Sequence, residues 1–168
     1  MHESSAPPRR SDRPGGPSNQ LLRALSPPDY ALVVPQLTRV SLRAGELLSK
    51  SHARPRHVYF PETAVLSLVI DMEDGGAVEA ATVGNEGMAG LAATLGDGAM
   101  SSRCLAQIAG DAQRIPVAVL VQAIVDRPAL DVLLRRYTQA FINQLAQSVA
   151  CNRLHTIDQR CARWLLMT

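Results

Sequence analysis

Cysteine is missing from the first 103 residues of this 168-residue chain. The three that follow, Cys104, Cys151 and Cys161, are odd in number, far apart and set among apolar residues. That usage speaks against a disulfide framework or a zinc site and leaves the thiols as small buried hydrophobes. Long apolar runs are also lacking. Nothing approaches the roughly 18 residues a membrane span needs, and MHESSAPPRRSDRPGGPSNQ has no apolar core of the signal-peptide kind, so a cytoplasmic protein without membrane contact is expected. Lysine occurs once, at Lys50; the arginines are spread, and a net charge of +2 gives no polyanion-binding patch. Paired histidines are absent. His52 and His57 stand too far apart to begin the ligand set of a jelly-roll metalloenzyme, and His2 and His155 lie remote from them. A lone histidine is more often a surface group than a ligand, so no metal and no cofactor are expected.

What is present is ordinary for a globular protein, 46% apolar and 19% charged, with room for one domain plus appendages. The dominant stretch is Ala129 to Ala150. Leu130, Leu133, Leu134, Tyr137, Ala140, Phe141, Leu145 and Val149 fall in one arc at 100° per residue, which predicts a single long amphipathic helix. Arg135, Arg136, Gln139, Asn143 and Gln147 lie opposite, yet no charge occurs from Tyr137 to Asn152. About 24 Å of uncharged helix suits packing on its own domain and on a symmetry mate. Tyr137, Phe141, Leu145 and Val149 are therefore the candidate seam of a homodimer.

Residues 1–18, rich in proline, glycine and charge, read as a disordered tail. Structure begins near Asn19, and Ser26-Pro27-Pro28-Asp29 opens a second short helix, with Ser26 as cap and Pro27 in the first position. From Leu37 to Ile115 the period shortens to that of strands, around Val40–Leu42, Leu47–Leu48, His57–Phe60, Val65–Ile70, Ala77–Val83, Cys104–Ile108 and Ala112–Ile115. Asp74-Gly75-Gly76 is a strong hairpin signal. Many short strands with tight turns mean a small barrel or jelly roll. A helix is expected over Val117–Val125, then the long helix, then a break at Asn152–His155. Thr156 caps a final helix that is cut off at Thr168.

Several motifs occur in order along this layout: His57-Val58-Tyr59-Phe60-Pro61, Ser67-Leu68, Asp74-Gly75, Glu79, Val83-Gly84, Glu86-Gly87-Met88, Cys151-Asn152-Arg153-Leu154-His155 and the run Gln159-Arg160 to Leu166. Over residues 19–168 the sequence resembles the sensor region of the Crp/Fnr transcription regulators. The resemblance implies a mainly β fold with helices: a double-stranded β-helix (jelly roll, cyclic-nucleotide-binding-like) of about eight strands, flanked by short N-terminal helices and a long C-terminal dimerisation helix. It implies a sensor domain over 19–128, a dimerisation helix and hinge over 129–154, and over 155–168 the start of a DNA-binding domain truncated before its helix-turn-helix. DNA would then be a partner only of a full-length form.

The family's cyclic nucleotide is held by backbone N–H groups at a helix start, a carboxylate on the ribose and an arginine on the phosphate. Met88 stands where the ribose carboxylate would be, and Met100 lies closer than Arg103 to the arginine slot. The resemblance thus implies an effector pocket at Gly84, Glu86, Gly87, Met88 and Arg103, taking an unidentified small molecule and not cyclic AMP in the usual way. An iron–sulfur member would need N-terminal cysteines. The expected function is a non-enzymatic sensing and dimerising domain; the alternative is a cupin-type metal-dependent enzyme.

Overall fold

A computed structural model describes residues 16–96 and 98–167. Residues 1–15, most of the expected tail, lie outside the described residues, as do Asp97 and Thr168. At the described edge, Ser18 donates its backbone N–H to Glu62 at 2.9 Å.

Two short helices open the fold, α1 (Gln20–Arg23) and α2 (Pro27–Val33). Each begins on a side chain that accepts an otherwise orphaned backbone N–H: Asn19 from Leu22, and Ser26 from Asp29. A single 3-10 turn, Val34–Gln36, then leads into the strands. These are β1 (Thr38–Leu42), β2 (Leu47–Ser49), β3 (His57–Pro61), β4 (Val65–Asp71), β5 (Ala77–Val83), β6 (Arg103–Ile108) and β7 (Gly110–Pro116).

All pairings are antiparallel. One sheet has the order β1-β7-β3 and the other β2-β6-β4-β5, so the chain passes repeatedly between two facing sheets in the manner of a jelly roll. The β4–β5 hairpin sits where Asp74-Gly75-Gly76 placed it. Gly75 takes φ +84°, which only glycine adopts without penalty, and the Asp74 carboxylate accepts the Gly76 N–H at 2.9 Å. The core between the sheets is built on Val58, Phe60, Leu66, Val83, Ala106 and Ile115, all buried.

Three helices follow: α3 (Val117–Asp126), α4 (Pro128–Leu154) and α5 (Ile157–Met167). Leu120 of α3 and Leu130, Leu134 and Phe141 of α4 complete the core. The long helix runs through Asn152-Arg153-Leu154, where a break was expected. None of those residues removes a backbone donor or requires left-handed backbone, so the ladder continues until His155 donates to the Cys151 carbonyl. Thr156 then caps α5 in a reciprocal box with Gln159, each side chain accepting the other's backbone N–H. Among the described residues no helix is long and apolar enough to cross a membrane.

Candidate functional site: the roll cavity and its turn

Strand alternation on β6 decides what lines the inside of the roll. Cys104 and Ala106 point inward and are buried, as is Ser102 just before the strand, while Arg103, Leu105 and Gln107 take the other face. Ser102 and Cys104 line a small cavity, partly open beside the exposed Ala53, together with Leu68 of β4, Met100, Gly90 and Ala92. Its volume is about 20 Å³, and none of the described residues lining it carries a charge. On the measure by which one water needs roughly 10–15 Å³, it has room for one or two waters. Burial pushes the Cys104 thiol up to about 12, so it stays neutral. The Ser102 hydroxyl, also buried, has no hydrogen-bond partner among the described residues.

The five candidate pocket residues do not meet here. Arg103 faces away from the cavity and pairs with Asp71, its Nε lying 2.9 and 3.2 Å from the two carboxylate oxygens. Met100, expected to lie closer than Arg103 to the arginine slot, does line the cavity. Glu86 is exposed and bends back on its own turn, accepting the Gly84 N–H at 2.9 Å. Met88 is in the core. Gly84, Glu86, Gly87 and Met88 thus form a turn beside the cavity and not its lining.

That turn is clamped from two sides. Asn19, wholly buried, donates from its amide to the Pro61 and Gly87 carbonyls, each at 2.8 Å. From the other side the Tyr137 hydroxyl accepts the Met88 N–H and donates to the Met88 carbonyl, both at 3.0 Å, as a neighbouring strand would. A Cβ on Gly87 would overlap the Tyr137 ring, so the close approach of helix and turn requires glycine there. Burial, with a smaller contribution from Glu86, pushes the Tyr137 hydroxyl up to about 12 against the opposing Met88 hydrogen bond, which keeps it a neutral donor. One residue on, Ala89 exchanges backbone hydrogen bonds with Tyr59 of β3, and Gly90 then reaches the cavity wall. A single residue, Ala89, therefore lies between Met88, held by α4's hydroxyl, and the cavity wall.

The candidate seam on α4 divides in the same way. Phe141 is 7% exposed, and Tyr137 and Leu145 pack against the roll, whereas Val149 is 70% exposed. The outward stripe runs instead through Val132, Gln139, Ile142, Ala146 and Val149. From Gln139 to Val149 its 3–4 spacing is that of a coiled-coil seam, whereas the exposed Arg135 and Arg136 stand between Val132 and Gln139. Among the described residues no three of His, Cys, Asp and Glu converge as a metal site. The metalloenzyme alternative gains no support.

Compared with solved structures, the chain superposes on a cyclic nucleotide-binding domain from Methylobacillus flagellatus with a TM-score of 0.66, over 83% of this chain and 84% of that one, at 15% identity. The fold is a cyclic nucleotide-binding β-roll. The same roll appears in the sensor domain of the transcriptional regulator DNR from Pseudomonas aeruginosa, at TM-score 0.60 and 14% identity over 83% of this chain and 91% of that one. It appears again in FixK2 from Bradyrhizobium japonicum, at TM-score 0.66 and 18% identity over 78% of this chain. The match spans only 65% of FixK2's length. No family model matches the sequence, and no curated protein matches it.

Proposed function

We infer that this chain is the sensing and dimerising part of a Crp/Fnr-like transcription regulator, without enzymatic activity, whose roll does not bind cyclic AMP in the usual way. The observation that carries the reading is the cavity. It is about 20 Å³ in volume, no described residue of its lining carries a charge, and Met100, which the resemblance puts closer than Arg103 to the arginine slot, is part of that lining. An anionic phosphate entering a half-buried roll needs its charge met, and losing a placed arginine removes a bond contributing about 1.5–3 kcal/mol. Loss of the ribose carboxylate, with Met88 in its place, removes a second contact. Together these amount to roughly a hundredfold or more in affinity.

In this reading 19–128 is the sensor, 129–154 the dimerisation helix and hinge, and 155–168 the start of a DNA-binding domain. The effector is a small molecule smaller and less charged than a nucleotide, and DNA is a partner of a full-length form. Dimerisation is carried by the outward stripe of α4, in which Val149 is kept from the expected seam and Ile142 and Ala146 replace Tyr137, Phe141 and Leu145. Calorimetric titration with cyclic AMP and cyclic di-GMP tests the sensor half of the reading. No heat at micromolar ligand is expected, and micromolar binding of cyclic AMP would overturn it. Sequence-specific retention of an operator fragment by residues 1–168 at physiological salt would equally contradict the assignment of DNA to the longer form.

A further inference from the structure

A second cleft, of about 120 Å³, opens where α5 lies beside β5 and the C-terminal half of α4. Its floor is β5 at Glu79 to Thr82; Ser148 and Asn152 of α4 form one wall, and Arg160, Arg163 and Trp164 of α5 form the other. The charges are unequal. Among the described residues of its lining Glu79 is the single carboxylate, and its oxygens are already engaged: one accepts from the Ser67 hydroxyl at 2.6 Å and the Gln107 amide at 2.7 Å, the other from the Trp164 indole at 3.2 Å.

Neither arginine has a carboxylate within ion-pair distance among the described residues. Among the described residues Arg163 donates to the Cys151 sulfur, at 3.5 Å, a weak acceptor for a guanidinium. Two guanidinium groups against one carboxylate leave the cleft with one positive charge unmatched, beside an aromatic ring and the small side chains of Ala80 and Ala81.

We propose that this cleft binds a small planar monoanion, an aromatic carboxylate in class, with its carboxylate on Arg160 and Arg163 and its ring against Trp164. The guanidinium fork matches a carboxylate in geometry as well as charge, and the indole face favours a flat apolar body. At about 30 Å³ per water in the liquid, the cleft of about 120 Å³ holds about four waters, so it takes the carboxylate and one edge of the ring while the rest of the ring extends from the open side along Trp164. Such a ligand would tie α5 to β5 and to the long helix at once. The site stands apart from the roll cavity and does not depend on the regulator reading.

The chain has one tryptophan, Trp164, so its fluorescence reports this cleft. The full chain is titrated with benzoate and with its uncharged isostere benzamide, by fluorescence and by calorimetry. The expected result is saturable, submillimolar binding of benzoate, at least tenfold weaker binding of benzamide, and at least tenfold loss in Arg160→Gln and in Arg163→Gln. Arg136→Gln, which removes an equal charge from an exposed position outside the cleft, leaves benzoate binding unchanged. Equal affinity for the two probes, undiminished benzoate binding in the Arg160→Gln/Arg163→Gln double variant, or no saturable change up to about 10 mM would overturn the proposal.

Discussion

Asp29 is buried and charged, which is costly unless every oxygen is met. The Ser26 hydroxyl and then Arg127, whose Nε lies 2.8 Å away, hold its carboxyl below the usual carboxylate range against the opposing effect of burial. A depressed native pKa gives stability that is present above the unfolded value of about 3.9 and lost as pH falls through the native one. Asp29→Asn should therefore cost about 1–3 kcal/mol at neutral pH, and wild type and variant should converge in acid. Urea denaturation across the pH range checks this, and a pH-independent gap would show that the charge is irrelevant. The thiols give a second prediction. Cys104 is buried with its pKa near 12, Cys151 is buried, and Cys161 is exposed. A thiol at about 12 carries roughly a thousandfold less thiolate than a free one at ~8.5. Iodoacetamide followed by mass spectrometry should find Cys161 labelled first and Cys104 only on unfolding.

The long helix α4 separates what a sequence can tell from what it cannot. Its existence, and the inward placement of Leu130, Leu134 and Phe141, follow from the 3.6-residue period. Which uncharged face meets a partner does not, because Tyr137 to Asn152 is uncharged all round and only the position of the roll breaks the tie. Leu145, expected at a dimer seam, packs on its own core, while Ile142 is 53% exposed. The two positions should respond in opposite ways. Ile142→Glu should leave the thermal unfolding of the protomer nearly unchanged, within about 0.5 kcal/mol, and should open the dimer in sedimentation experiments. Leu145→Glu should lower protomer stability by about 2 kcal/mol or more, since it places a carboxylate against apolar side chains. An Ile142→Glu chain that still sediments as a dimer would place the seam elsewhere. Strand β6 teaches the same lesson. Its presence was readable from Cys104 to Ile108, but the side to which Arg103 points depends on register against β4, where it faces Val69.

For the molecule as a whole, local chemistry announced the parts that are local: the Asp74-Gly75-Gly76 hairpin, the caps at Ser26 and Thr156, the helices. The turn at Gly84–Met88 was visible as a run of glycines. Its two clamps were not, because Asn19 and Tyr137 reach it from 68 and 49 residues away. That distance along the chain bears on the order of folding. The β4–β5 hairpin closes over a few residues, whereas Asn19 can reach Pro61 and Gly87 only after both sheets have assembled around it. Contacts formed after the rate-limiting barrier slow unfolding without hastening folding. Asn19→Ala should thus steepen the loss of the native state in a stopped-flow chevron, raising the unfolding rate roughly tenfold or more for each ~1.4 kcal/mol removed, and leave the refolding arm where it was. The buried amide beside the turn would then act as a latch against escape, setting how long the folded protein persists and not how quickly it forms.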